Sequence, residues 1–139
     1  MLSATRPDVA LHGVDLSPDM IAVAERDLAG SGVSLHVADV ARLPFADDSV
    51  DVAVSSLALH HWPDPVAAMA ELARVTRPDG VLALYDFRFT DMEPAMAALR
   101  AHPAVAADSV RRRPARRGPR LDARLHPSGA ARSTDAAAR

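Results

Sequence analysis

Residues 13–20 read Gly13-Val14-Asp15-Leu16-Ser17-Pro18-Asp19-Met20. The stretch begins inside an apolar run, residues 9–14, whose composition is typical of a buried parallel strand. Ser17 is a favoured N-cap residue, Pro18 suits the first helical position and Gly30 is a stop signal, so a helix is predicted over residues 18–29. A strand that turns directly into a helix is the building unit of an α/β fold.

The same alternation continues to about residue 101. Strands are predicted over residues 33–38, 50–56 and 81–87, with a loop at 43–48, a helix that Asp64-Pro65 opens and a weaker helix at about 91–101. The inner face of the middle helix is expected to carry Val66, Met69, Leu72 or Ala73, and Val75 or Thr76. Arg77-Pro78-Asp79-Gly80 is expected to end that helix, with Gly80 in a turn at positive φ. The pattern predicts a parallel sheet with flanking helices.

The composition excludes several classes of protein. The chain has 139 residues, which suggests one domain, and it contains no Cys, so disulfides, thiolate metal sites and a cysteine nucleophile are excluded. Apolar stretches are short and interrupted by charges, and polar residues follow Met1-Leu2, so neither a membrane span nor a secretion signal is expected. The expected location is cytoplasmic.

The charge divides the chain into two unlike segments. Residues 1–110 carry seven Arg against sixteen acidic residues, whereas residues 111–139 carry nine Arg against two Asp. Because the second segment has few large apolar residues, we predict a partial domain over 1–110 and a disordered basic tail over 111–139. Binding of nucleic acid by this tail is disfavoured, since no aromatic residue is interleaved for base stacking. A shifted reading frame in GC-rich DNA would produce the same composition and stays an alternative.

Two acids follow predicted strands, where open parallel sheets bind their ligands. Asp15 could accept hydrogen bonds from both hydroxyls of a ribose, or it could stabilise the N-terminus of the following helix. Asp39 could accept a bond from the exocyclic amine of adenine while the Val40 N–H donates to the ring, or it could be a solvated loop acid. Taken singly, the residues leave both alternatives open.

The order of the motifs adds a further indication. The chain contains, in register, Gly13-Val14-Asp15-Leu16-Ser17-Pro18-Asp19-Met20, Ala38-Asp39-Val40-Ala41-Arg42-Leu43-Pro44-Phe45, Ser49-Val50-Asp51-Val52-Ala53-Val54-Ser55-Ser56, Leu59-His60-His61-Trp62 and Arg77-Pro78-Asp79-Gly80. Over about residues 9–90 this series resembles the class I S-adenosylmethionine-dependent methyltransferases, in particular the small-molecule branch called type 11. A nicotinamide-binding protein is a weaker rival, because it would not explain the Leu-Pro-Phe and Arg-Pro-Asp-Gly segments.

The resemblance implies a Rossmann-like fold, methyl transfer from S-adenosylmethionine to a small-molecule acceptor, and specific roles. It implies that Asp15 binds the ribose, that Leu16 and Met20 pack around the adenine, that Asp39 and the Val40 amide read the adenine edge, and that Ser55 lies by the methionine part. His60 and His61 are weak candidates for a catalytic base, since in this family such a stretch commonly shapes a loop. The scattered histidines lack the spacing of metal ligands, so no metal is expected.

One diagnostic segment of that family does not occur. The six glycines lie at positions 13, 30, 32, 80, 118 and 129, and none forms a GxGxG loop. We therefore expect an N-terminally truncated, incomplete sheet that lacks its first strand and Gly-rich loop, with weak or no binding of the cofactor. Strands 9–14 and 50–56 would either pair directly or expose edges that favour self-association. The alternative function is that of a non-catalytic fragment or an interaction module.

Overall fold

The computed structural model describes residues 8–87, 89–106, 109–115 and 118–124. The elements in these ranges are, in order, β1 (His12–Asp15), α1 (Pro18–Asp27), β2 (Ser34–Val37), β3 (Val50–Ser56), a 3₁₀ turn (Leu59–His61), α2 (Pro65–Val75), β4 (Thr76–Tyr85), α3 (Glu93–Ala101), β5 (Arg111–Ala115) and β6 (Gly118–Arg124). The α/β fold class predicted from the sequence is confirmed. Within the described ranges, no helix has both the length and the apolar character needed to cross a bilayer.

The strands form two sheets. β1 pairs with β2 in parallel, while β3 pairs with β4 in parallel and the second sheet has the order β3-β4-β6-β5. In the described part of the chain, β1 and β3 do not pair with each other. The sequence left two arrangements open, direct pairing of these strands or exposed strand edges, and the structure has the exposed edges. Val52 and Val54 on the edge strand β3 are both more than half exposed.

The prediction of a disordered tail is wrong for residues 111–115 and 118–124. These residues form an antiparallel hairpin whose second strand, β6, pairs antiparallel with β4 from Val81↔Arg124 to Tyr85↔Arg120. A segment with so few large apolar residues could not build a core of its own. The hairpin does not need one, because β6 pairs with the open edge of β4 and Ala123, 1% exposed, is buried in the existing core. The predicted tail residues 116–117 and 125–139 lie outside the described residues.

The main core lies between the second sheet and the helices α2 and α3. Its members are Leu59, Ala68, Met69, Leu72, Ala73, Leu82, Leu84, Met92, Ala95, Met96, Leu99, Val105, Val110 and Ala123. The Asp64 side chain caps α2 by accepting hydrogen bonds from the N–H groups of Val66 and Ala67, both at 3.0 Å, which fixes how this helix enters the core. The prediction that Val66 lies on the inner face is wrong, because its side chain is exposed at the first turn.

Gly80 is needed for space and not for its backbone dihedral. The residue at positive φ is Asp79, at 64°, so the prediction that Gly80 supplies a turn at positive φ is wrong. Residues 77–80 belong to β4, where the pairing shifts between Val50↔Thr76 and Val52↔Val81. A Cβ atom on Gly80 would lie 2.7 Å from the Arg77 carbonyl oxygen and 3.0 Å from that of Asp51. The close approach of two backbones at this bulge therefore requires glycine.

Candidate functional site

Asp15 lies at the carboxyl end of β1, where α1 begins. Its Oδ1 accepts a hydrogen bond from the Ser17 N–H at 2.8 Å, and Ser17 Oγ accepts one from the Met20 N–H at 3.4 Å. One carboxylate oxygen therefore supports the turn into the helix, while the other has no hydrogen-bond partner among the described residues. The two alternatives for Asp15 are compatible, since the turn occupies one oxygen and leaves the second for a ligand.

Two apolar side chains lie in water beside this carboxylate. Leu16 and Met20 are both more than half exposed, although burying such a side chain is worth about 1.5–3 kcal/mol. They flank Asp15 because one follows it directly and the other lies in the first turn of α1. A flat apolar ligand placed against them would gain this burial.

Asp39 and Val40 follow the neighbouring strand. The Ala38 N–H donates to the Asp15 carbonyl oxygen at 3.0 Å, so the chain leaves β2 beside the end of β1. Asp39 Oδ1 accepts from the Ala41 N–H at 2.9 Å, and the exposed carboxylate retains a second oxygen for a ligand. In the described part of the chain the Val40 N–H makes no hydrogen bond, while the Val40 side chain packs against the core. This backbone donor is therefore held in place and available.

An ion-pair network anchors the loop that follows Val40 to α2. Glu71 Oε1 accepts a hydrogen bond from the Leu43 N–H at 2.7 Å, and both Glu71 oxygens accept from Arg74, at 2.7 and 2.8 Å. Arg74 also donates to the Phe45 carbonyl oxygen at 3.0 Å and to Asp47. The hydrogen bonds from Arg74 lower the pKa of Glu71 in spite of its burial, so the carboxylate stays charged. The network ties the loop after the first sheet to a helix of the second.

Ser55 is the penultimate residue of β3 and pairs with Leu84 of β4. Leu57, just beyond the strand, has a φ of 57°, which is uncommon for a residue other than glycine. No hydrogen bond, ion pair or ring contact among the described residues joins Ser55 to Asp15 or Asp39. The structure thus brings together the predicted adenosine contacts on the first sheet and places Ser55 separately, on the second.

His60 is bound to a buried acid that the sequence reasoning missed. Asp86, 3% exposed, directly follows β4, and its Oδ1 lies 2.7 Å from His60 Nδ1. The carboxylate also accepts from the backbone N–H of His60 at 3.2 Å, from the N–H of Phe87 at 2.7 Å and from the hydroxyl of Thr90 at 3.0 Å. The signal was present, because Asp86 is an acid at a strand end like Asp15, but the predicted strand 81–87 extended past it.

The charge of Asp86 determines where the proton of the His60 ring lies. Burial raises the pKa of Asp86, but the hydrogen bonds from Phe87, Thr90 and His60 lower it by more, so the pKa lies below its ordinary value of 3.8. An ionised carboxylate can only accept hydrogen bonds, so the His60 Nδ1 must carry the proton. When the ring is neutral, Nε2 is therefore left unprotonated and can act as a base.

Two rings contact His60, and a third ring stacks on one of them. The ring of His61 lies 4.0 Å away and that of Phe87 5.1 Å away, and Phe89 stacks on Phe87 at 5.1 Å with 10° between the planes. Phe87 is 39% exposed and Phe89 is 77% exposed. The carboxyl end of the second sheet therefore presents an acid-bound imidazole beside an open pair of aromatic rings.

Comparison with known proteins identifies the family. The model of the methyltransferase domain family, type 11, matches residues 2–84. Over 80 residues the chain is 36% identical to the ubiquinone/menaquinone biosynthesis C-methyltransferase UbiE of Bdellovibrio bacteriovorus, which covers 56% of this chain and 34% of that protein. Over 83 residues it is 32% identical to an arsenite methyltransferase of Halobacterium salinarum, covering 58% of this chain and 21% of the relative.

A solved methyltransferase structure also aligns with this chain. The S-adenosylmethionine-dependent methyltransferase from Mesorhizobium loti aligns with a TM-score of 0.50 and 32% identity, over 54% of this chain and 35% of that one. The chain thus spans about a third or less of the length of these relatives. The resemblance inferred from the ordered motifs is confirmed, and the chain belongs to the type 11 methyltransferase domain family.

Proposed function

We propose that this chain serves methyl transfer from S-adenosylmethionine to a small-molecule acceptor. The observation that carries the proposal is the arrangement at the ends of β1 and β2, where two carboxylates, each with an oxygen left for a ligand, lie beside exposed Leu16 and Met20. Ribose hydroxyls require acceptors and a purine requires an apolar surface with a donor at its edge, so these residues match the adenosine half of the cofactor.

Each residue then has a defined task. The second oxygen of Asp15 accepts from the ribose hydroxyls, Asp39 accepts from the exocyclic amine, and the free N–H of Val40 donates to the adenine ring. Bound S-adenosylmethionine supplies a methyl group on a sulfonium, already activated for in-line displacement, so the protein contributes mainly binding and approach geometry.

The methionine half of the cofactor has weaker support in this chain. None of the five glycines in the described ranges, at positions 13, 30, 32, 80 and 118, belongs to a GxGxG loop that would let the amino-acid part lie close. We therefore propose that this chain binds the cofactor weakly, with a dissociation constant on the order of 1 mM, equivalent to about 4 kcal/mol, and that its transfer activity is impaired.

Titration of the ¹⁵N-labelled chain with S-adenosylmethionine, followed by NMR, tests this proposal. The largest shifts are expected at the backbone amides of Leu16, Met20 and Val40. Asp15→Asn is expected to weaken binding about tenfold, because an amide oxygen still accepts from Ser17 but the charge that holds the ribose hydroxyls is lost.

Asp19→Asn is the matched control, since it removes the same charge one turn away in the exposed first turn of α1 and should leave the affinity unchanged. Shifts confined to other residues would overturn the site. A micromolar dissociation constant would instead overturn the proposed impairment.

The open edge of β3 favours a second candidate, a self-associating interaction module. Val52 and Val54 are exposed on this edge, and an unprotected edge with apolar side chains is a template for pairing. Sedimentation velocity should show concentration-dependent association that Val54→Lys abolishes and Val66→Lys, on an exposed helix face, does not. A chain that stays monomeric at every concentration would exclude this function.

A further inference from the structure

We infer that the methyl acceptor at this site is a planar aromatic hydroxyl compound, a phenol, which stacks on Phe87 and Phe89 and gives up its proton to His60. The inference rests on the proposed function, because it names the acceptor class for the same reaction. Two independent features of the carboxyl end of the second sheet carry it: the acid-bound imidazole and the exposed aromatic pair.

The imidazole is positioned to take a proton. Asp86 holds His60 by both its backbone N–H and its ring Nδ1, so the ring cannot rotate without breaking the 2.7 Å bond to the carboxylate. The His60 side chain is 24% exposed, whereas that of Asp86 is fully buried, so the base reaches the surface and its charged partner does not.

His60 Nε2 takes the hydroxyl proton, the acceptor oxygen forms a bond to the methyl carbon, and the bond from that carbon to the sulfonium sulfur breaks. The electron pair of the broken bond stays on sulfur, which becomes a neutral thioether. The proton then leaves His60 for water, and the ring returns to its Nδ1–H form.

The aromatic pair selects the class of hydroxyl. Phe87 and Phe89 already stack in parallel, and the outer ring is mostly open to solvent, so a planar ligand would extend the stack while its substituent lies near His60. A phenolic hydroxyl has a pKa of about 10, within reach of an imidazole base. An aliphatic alcohol is far less acidic and offers no ring to stack.

A purely structural role explains less of this arrangement. Asp86 would still hold the turn after β4 through Phe87 N–H and the Thr90 hydroxyl. That role requires neither the imidazole of His60 at 2.7 Å nor a Phe89 side chain that is 77% exposed.

The first test reads the protonation of His60 without cofactor. In ¹⁵N spectra of the imidazole rings above neutral pH, His60 is expected as the Nδ1–H tautomer with a bare Nε2. Asp86→Ala should remove this preference, because it leaves no acceptor for the Nδ1 proton, and the signal of His61, which makes no hydrogen bond to Asp86, should not change. A His60 ring that carries its proton on Nε2 in the wild-type chain would overturn the inference.

The second test uses phenol as the probe and cyclohexanol as its non-planar counterpart. Phenol is expected to shift the ring signals of Phe87, Phe89 and His60, and Phe89→Ala should weaken its binding about tenfold, while Val66→Ala, on an exposed face of α2, leaves binding unchanged. Equal shifts by both compounds would overturn the aromatic acceptor. Since neither test contains S-adenosylmethionine, a failed cofactor titration and a failed acceptor test are distinguishable.

Discussion

Replacing Ala123 with Asp is expected to lower the free energy of unfolding by more than about 3 kcal/mol. Ala123 is 1% exposed in the core, opposite Leu82 of β4. A carboxylate there would be desolvated without a partner, so β6 would have to leave the sheet and expose the edge of β4. Urea denaturation followed by circular dichroism and by the fluorescence of Trp62, which packs against the same core, measures the loss.

The matched control is Ala70→Asp, which introduces the same charge at an exposed position of α2. Its cost should stay below about 1 kcal/mol, mostly from the lower helix propensity of Asp. If both variants are as stable as the wild type, residues 118–124 do not belong to the folded sheet, and the interpretation of the tail as a disordered segment would be restored.

Replacing Asp86 with Ala is expected to cost about 3–5 kcal/mol, because it leaves the donors of His60, Phe87 and Thr90 without their shared acceptor in a buried place. Asp86→Asn should cost less, since one oxygen still accepts. Asp51→Ala, which breaks the exposed ion pair with Arg77, provides the comparison and should cost less than about 1 kcal/mol.

The pH dependence of the free energy of unfolding separates the contribution of the Asp86 charge from that of its hydrogen-bonding geometry. Its pKa in the folded chain lies below the ordinary value of 3.8, so the unfolded chain binds more protons as the pH falls through this range. The stabilisation is therefore fully present above the ordinary pKa and is lost as the pH falls through the folded value. The stability difference between wild type and Asp86→Asn, measured by urea denaturation, should shrink as the pH falls from about 5 through the ordinary pKa of 3.8. A difference that stays constant with pH would show that the charge makes no contribution.

Local chemistry accounts for what could be read correctly from the residues. The caps Ser17-Pro18 and Asp64-Pro65 start α1 and α2 where predicted, since a cap acts on backbone groups two or three positions away. Strand β2 was predicted over 33–38 and covers Ser34–Val37. Asp15 and Asp39 could be predicted as ligand-binding acids because Asp15 is the last residue of β1 and Asp39 lies two positions after β2.

The pairing of His60 with Asp86 could not be predicted in the same way. The hydrogen bond between His60 and Asp86 spans 26 residues, and nothing near either residue indicates the other. His60 alone is equally compatible with a loop histidine, and Asp86 alone with the last residue of a strand. Only the parallel pairing of β3 with β4 places their carboxyl ends side by side and makes the two a pair.

By itself, the sequence determined the alternation of strands and helices, the acids at the ends of β1 and β2, and the family. Each of these depends on neighbours along the chain or on the order of short motifs. The tertiary structure decided that β6 joins β4, that Gly80 is needed for close approach to Asp51, and that His60 is bound to Asp86. Sheet pairing and burial depend on which distant segment supplies the partner, and composition along one segment carries no information about that partner.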